Sequence, residues 1–245
     1  MTKTLILFDV DGTLTPSRLT VSDNMLTMLK QLRQVENLTI GIVGGSDLMK
    51  QKEQLGEENL RLFDYVFSEN GLYASHMGKL LEKTSIASEM GEDNVKKLVN
   101  ASMKYMANID IPVKRGTFIE FRNGMINLCP VGRSCSQEER MQFYKYDMEH
   151  NIRKNMVTVL SEELKDLNLT FSIGGQISID VFPKGWDKTY CLKFVEDKFD
   201  TIHFFGDKTY PGGNDYEIFN DSRVIGHTVT SPEDTISQLG EFLNF

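Results

Sequence analysis

Residues 4–8, Thr-Leu-Ile-Leu-Phe, form an all-apolar run that stops at Asp9. A strand apolar on both faces belongs inside a parallel sheet. Gly12 allows the chain to turn. Beyond it Ser22 can cap a helix whose Met25, Leu26, Leu29 and Leu32 share one stripe, and residues 39–43 read as a second buried strand leading into Gly44-Gly45-Ser46. That succession is β-α-β, the unit of a doubly wound sheet. Residues 65–67 give a third short strand before the loop Ser68-Glu69-Asn70-Gly71.

From about residue 82 the pattern changes to long amphipathic helices separated by hairpin signals. Residues 118–122 and 125–128 flank Asn123-Gly124, a dipeptide favoured in two-residue turns because both positions tolerate positive φ. Ser136-Gln137-Glu138-Glu139 is a capping-box pattern and predicts a helix running to about Lys154, with another over 157–167. Residues 169–173 and 176–182 make a second strand pair about Gly174-Gly175. Beyond residues 183–186 the α/β rhythm returns with a helix over 188–199 and a strand over 201–205 ending in Gly206-Asp207. A strand at 224–225 follows, then a last helix with Pro232 at its first position. The pattern therefore predicts an α/β core, a doubly wound and mainly parallel sheet from residues 1–81 and 186–245. An α+β cap, residues 82–185, containing an antiparallel sheet, is inserted into it.

Charge sharpens that division. The formal net charge is −8, which argues against nucleic acid as a partner, since that binding depends on basic surface. Residues 82–185 hold 14 Lys/Arg against 14 Asp/Glu, and the flanking segments 13 against 21, so all the excess acidity lies outside the middle. No apolar run approaches the roughly 20 residues of a membrane span, and the N-terminus leads straight into the first strand, so a cytoplasmic protein with no membrane contact is expected. The 3 cysteines, Cys129, Cys135 and Cys191, form an odd set without metal-ligand spacing and are expected to be unbridged.

Candidate chemistry concentrates in Phe8-Asp9-Val10-Asp11-Gly12-Thr13-Leu14-Thr15-Pro16. Open α/β sheets bind ligands beyond the carboxyl ends of their strands, and Asp9 and Asp11, two apart, can face one ligand from such an end. Two clustered carboxylates there call for a neutralising cation. Mg²⁺ fits, because it takes oxygen ligands from one or two carboxylates together with substrate phosphate. Asp207, at another predicted strand end, supplies a further ligand, and Asn214-Asp215 is near enough in sequence to support it. Asp9 would then attack phosphorus, Asp11 would give and take the proton of a hydroxyl, and Ser46 and Lys188 would bind the phosphoryl oxygens. A lone Asp-x-Asp-Gly is also a common turn, but here it comes in one order with Gly44-Gly45-Ser46, Lys188 and Gly206-Asp207.

That ordered set resembles the haloacid dehalogenase superfamily. The segments VGGSD, RGTFIEFRNGM, GRSCSQEER, GGQISIDVFPKGWDK and FFGDKTYPGGNDYEIF are similar to the eukaryotic phosphomannomutase family over nearly the whole chain. The second motif departs from the superfamily pattern, with Gly44 and Gly45 standing between the strand and Ser46. The resemblance implies an aspartyl-phosphate enzyme that interconverts mannose 6-phosphate and mannose 1-phosphate through a hexose 1,6-bisphosphate, primed by glucose or mannose 1,6-bisphosphate and feeding GDP-mannose synthesis. It also implies a homodimer formed through the cap, which closes to keep water from the phosphoaspartate.

A mutase needs a second anion site for the phosphate that is not reacting, and the cap offers Arg122, Arg133 and Arg140, residues suited to planar phosphate recognition. The resemblance aligns these with the family's substrate-binding arginines, as it does Arg18 of the core. Alternation along residues 176–182 sets Ser178 and Asp180 on one face and Ile177, Ile179 and Val181 on the other. The resemblance assigns Ser178 and Asp180 to sugar hydroxyls, and Phe219 and Asp221 to a second cation. A sugar-phosphate phosphatase with the same core and a catalytically silent sugar-phosphate sensor are the alternatives.

Overall fold

A computed structural model describes residues 2–243. In chain order the strands are β1 (Thr4–Phe8), β2 (Leu38–Val43), β3 (Tyr65–Ser68), β4 (Tyr73–His76), β5 (Lys79–Lys83), β6 (Ile119–Phe121), β7 (Ile126–Leu128), β8 (Leu169–Gly174), β9 (Ser178–Pro183), β10 (Thr201–Gly206) and β11 (Ile225–Thr228). The α-helices are α1 (Asp23–Leu32), α2 (Leu48–Leu55), α3 (Ile86–Met90), α4 (Glu92–Asn108), α5 (Gln137–His150), α6 (Ile152–Glu163), α7 (Tyr216–Phe219) and α8 (Pro232–Leu243). The chain forms two compact units, one of residues up to Lys83 and from Gly185 onward, the other Thr84–Lys184.

The first unit is built on a 7-stranded sheet in the order β11-β10-β1-β2-β3-β4-β5. Strand β1 pairs in parallel with both β2 and β10, and its register places Phe8 beside Ile42 and Phe205. This register brings Asp9, Gly44 and Asp207 out at the same carboxyl edge. Residues 5–8 are wholly buried, since Ile6 and Phe8 face one apolar cluster and Leu5 and Leu7 the other. Full burial of side chains of this size is worth roughly 1.5–3 kcal/mol each, which fixes β1 as the centre of the unit. The α1 stripe is Met25, Met28, Leu29 and Leu32, with Leu26 only half-buried, so the helix is rotated slightly from the pattern read in the sequence.

Two antiparallel strands that the apolar pattern does not announce, β4 and β5, extend this sheet. Their two-residue turn is Met77-Gly78, both at positive φ (49° and 75°), a geometry usually announced by Asn-Gly. Residues 188–199 do not form the expected α-helix. Lys188–Phe194 is a 3₁₀ segment whose tight start is held by Asp187, its carboxylate accepting from the N–H (2.9 Å) and hydroxyl (2.6 Å) of Thr189. The last helix does begin at Pro232, and the three cysteines are unbridged.

The second unit carries a 4-stranded antiparallel sheet in the order β6-β7-β9-β8. Helix α6 packs on β8 and β9, and α4 and α5 pack on α6. The capping box of α5 is complete, with Ser136 and Glu139 exchanging hydrogen bonds. The helix ends at Asn151, short of Lys154. Asn151 adopts a left-handed conformation (φ 53°), one that asparagine tolerates, and Asp147 accepts the N–H of Arg153 at 2.7 Å, so a new helix starts at once. On β9, Ile179 and Val181 are buried while Ser178 and Asp180 are half-buried, as alternation requires.

Candidate active site

The loop leaving β1 is wound around the Val10 carbonyl, which accepts from Leu14 and Thr15 N–H at 3.0 Å each. Gly12 closes the loop at φ 81°, its N–H donating to Thr15 O at 2.7 Å. A Cβ on Gly12 would lie 2.4 Å from Asp207 Oδ2, so glycine is required both by conformation and by the approach of the Asp207 carboxylate.

Asp9 is 3% exposed, and its Oδ1 accepts from the ammonium of Lys188. Lys188, itself 1% exposed, also donates to Asp215 Oδ1 at 2.5 Å. Burial, reinforced by the Asp215 charge and opposed by Lys188, pushes the Asp9 carboxyl up to about 6. Burial works against a charged Lys188, but the carboxylates of Asp9 and Asp215 outweigh it and raise its pKa. Burial likewise raises Asp207.

One carboxylate oxygen from each of Asp9, Asp207 and Asp215 lies within 4.8 Å of the others. Asp9 Oδ2 and Asp207 Oδ1 are buried and have no hydrogen-bond partner among the described residues. Buried oxygens without a donor are costly, and a hard cation satisfies both, so the residues fit Mg²⁺. Asp215, placed by the sequence in a supporting role, is a member of this acidic group. The Asp11 carboxylate is not among the three. Its Oδ1 accepts instead from Arg18 N–H at 2.6 Å and from Gln54 Nε2 at 2.8 Å.

A cavity of about 130 Å³ is lined by Asp9, Asp11, Ser46, Lys208 and Asn214, so the two motif carboxylates and Ser46 do open on one space. Lys208 was not singled out from the sequence, although it directly follows Gly206-Asp207. Its N–H donates to Asp215 Oδ2 at 3.0 Å and its ammonium lies 3.4 Å from Asp207. Arg18 sits at φ 64° with an exposed side chain, and the bond described for it in the site is its backbone N–H. The carboxylate proposed for a second cation, Asp221, has both oxygens engaged by Arg223, at 2.8 and 2.7 Å. The Arg223 guanidinium thus pairs with the carboxylate that the resemblance assigns, with Phe219, to a second cation.

In the second unit Arg122 and Arg133 converge on one oxygen of Glu120, at 3.0 and 3.1 Å. The two guanidinium groups hold the Glu120 carboxyl below its usual range, with the Arg122 hydrogen bond the larger influence. Arg133 also donates to Asn127 Oδ1 at 3.0 Å, and Asn127 donates to Asp180 at 2.6 Å. Arg122, Arg133 and Asp180 thus belong to one network through Glu120 and Asn127, two residues that charge and alternation alone did not reveal. Arg140 lies half-buried in the first turn of α5, and Ser178 Oγ makes a long contact of 3.5 Å to Gly174 O.

The fold is shared with known phosphatases of low identity. Trehalose-6-phosphate phosphatase of Aspergillus fumigatus superposes with a TM-score of 0.62 at 17% identity, covering 100% of this chain and 94% of that one. The C-terminal domain of the Candida albicans enzyme gives 0.63 at 18%, covering 100% and 93%. Much nearer in sequence are the phosphomannomutases of Schizosaccharomyces pombe, 61% identical over 99% of this chain and 95% of the relative, and of Dendrobium officinale, 60% over 96% and 92%. The family model for eukaryotic phosphomannomutase matches residues 25–245. With that match spanning most of its length, the chain belongs to the eukaryotic phosphomannomutase family.

Proposed function

We infer that the chain is a phosphomannomutase, interconverting mannose 6-phosphate and mannose 1-phosphate, with Asp9 as the residue that carries the phosphoryl group between them. One observation carries the assignment of Asp9. It is buried at the end of the central strand with one oxygen held by Lys188 and the other without a partner among the described residues, in a chain about 60% identical to phosphomannomutases over nearly its full length.

The Asp9 carboxylate attacks phosphorus while Lys188, paired with its Oδ1, balances its charge and that of Asp215. Asp11 takes the proton of the sugar hydroxyl that receives the phosphoryl group, and returns it when the reaction runs backward. Ser46 and Lys208 line the same space and supply donors to phosphoryl oxygens. Mg²⁺, held by Asp9 and Asp207 beside Asp215 with Asn214 in support, would neutralise charge developing on the transferring group when bound. The other phosphate of a hexose 1,6-bisphosphate is assigned to Arg122, Arg133 and Arg140, and sugar hydroxyls to Ser178 and Asp180, with Arg18 the core's contribution to binding. Fork-shaped guanidinium donors suit a phosphate, and the Glu120 pairing keeps two of them oriented before it arrives. A bisphosphate primer, supply of mannose 1-phosphate for GDP-mannose, a cytoplasmic setting and a homodimer through the second unit complete the reading. Among the described residues no helix is long and apolar enough to cross a membrane.

The test is incubation with mannose 1-phosphate, Mg²⁺ and a trace of glucose 1,6-bisphosphate. The reading predicts mannose 6-phosphate formed in proportion to substrate consumed. Stoichiometric release of inorganic phosphate without mannose 6-phosphate would make the protein a phosphatase, and a solution mass near 28.0 kDa would remove the dimer.

A further inference from the structure

Helix α2 has an unusual buried face. Its buried residues are Gln51, Gln54 and Leu55, with the two glutamines 0% and 2% exposed. Burying an amide is costly unless its hydrogen bonds are met, so two such residues one turn apart call for specific partners. Gln51 is pinned to the end of β3, where its amide donates to Phe67 O at 3.1 Å and accepts from the Ser68 hydroxyl at 2.6 Å. Gln54 has its backbone carbonyl tied to Val21 N–H at 2.9 Å and directs its amide N–H onto Asp11 Oδ1 at 2.8 Å. With Arg18 N–H on the same oxygen at 2.6 Å, Oδ1 is held by two donors, and among the described hydrogen bonds Oδ2 accepts none.

We propose that Gln54 is a positioning residue for proton transfer: it fixes the Asp11 carboxylate so that Oδ2 alone exchanges the proton with the sugar hydroxyl. This rests on the reading of Asp11 as the acid and base. As the new sugar O–P bond forms and the Asp9 O–P bond breaks, the hydroxyl proton passes to Asp11 Oδ2; in the reverse step it returns to the departing oxygen. Without Gln54, Arg18 N–H remains but the carboxylate can rotate, and the two oxygens compete for the position facing the hydroxyl. Well-placed acid–base groups contribute roughly 10²–10⁴-fold to rate, so misplacing one while leaving it present should cost about 10–100-fold.

Two substrates separate this role from general damage. A sugar alkoxide is a poor leaving group and needs the proton, whereas the p-nitrophenolate of p-nitrophenyl phosphate leaves without it. Gln54→Met, which keeps the side chain's bulk and removes the donor, and Gln54→Ala should each lower kcat for mannose 1-phosphate by about 10–100-fold with KM little changed. Phosphorylation of Asp9 by p-nitrophenyl phosphate should stay within about twofold of the parent. Asp11→Ala should show the same split more strongly, and adding Gln54→Met to it should cost nothing further. An equal loss on both substrates in both Gln54 variants, or additive losses in the double variant, would overturn the proposal. Asp11→Ala turning over the sugar phosphate at the parent rate would instead remove the acid–base reading beneath it.

Discussion

Lys188 offers the sharpest test of how the acidic cluster is held. Replacing it by Met keeps most of the stem and removes the ammonium that pairs with Asp9 and Asp215. The three side chains are 1%, 5% and 0% exposed, so water cannot take over the lost pairing. Breaking a buried pair by removing one partner typically costs about 3–5 kcal/mol. Against a usual total of roughly 5–15 kcal/mol this is a large share, equivalent to a fall of about 6–20 °C in melting temperature for a chain this size. Trp186, the only tryptophan and 5% exposed, lies in the same unit and gives a fluorescence signal for its unfolding. Guanidinium titrations in EDTA should show the loss in full, and Mg²⁺ should restore part of it by replacing the missing positive charge. A Lys188→Met protein within about 1 kcal/mol of the parent in EDTA would refute the view that Lys188 neutralises a buried acidic cluster.

Three further outcomes follow from the same geometry. The Asp9 carboxyl is raised above its unfolded value of 3.8 to about 6, so the metal-free fold binds the proton more tightly, and this contribution to stability is full below pH 3.8 and lost as pH rises through 6. The thermal shift given by Mg²⁺ should therefore be larger at pH 7.5 than at pH 5; equal shifts would contradict it. Gly12→Ala combines a left-handed backbone with a Cβ 2.4 Å from Asp207 Oδ2, and should cost about 1–2 kcal/mol from conformation alone while raising the Mg²⁺ concentration needed for half-maximal activity. Unchanged Mg²⁺ dependence would speak against Asp207 as a ligand. In the second unit, Arg153 is 4% exposed and donates to Asp147 and to the carbonyls of Gly174, Gly175 and Ser178. Arg153→Met should destabilise by about 3–5 kcal/mol, and hydrogen exchange should show the β8–β9 turn opening first.

The parts most legible in the sequence were those in which one residue type has one physical reading. The short, mostly apolar runs at 4–8 and 39–43, each closed by turn residues, read as buried strands, and Ser136 with Glu139 marks a helix start. Asp9, Asp11, Ser46 and Asn214 were named from pattern and meet at one cavity. What escaped notice was signalled by tertiary partners. Helix α2 hides its period because its buried face is made of amides, and the β4–β5 turn uses Met77 where asparagine is commoner. The short 3₁₀ path at 188–194 follows from Asp187 capping, which no apolar spacing reveals. Glu120 and Asn127 read as ordinary strand polars until their neighbours on the sheet are known, since each gains its meaning only from the arginines beside it.

The central claim, that Asp9 carries the phosphoryl group, is tested most directly by trapping it. Brief exposure to ³²P-labelled glucose 1,6-bisphosphate, an acid quench and peptide mapping should place a hydroxylamine-labile label on Asp9, absent from an Asp9→Asn protein that also fails to turn over mannose 1-phosphate. Label on another residue, or normal turnover by Asp9→Asn, would contradict the account.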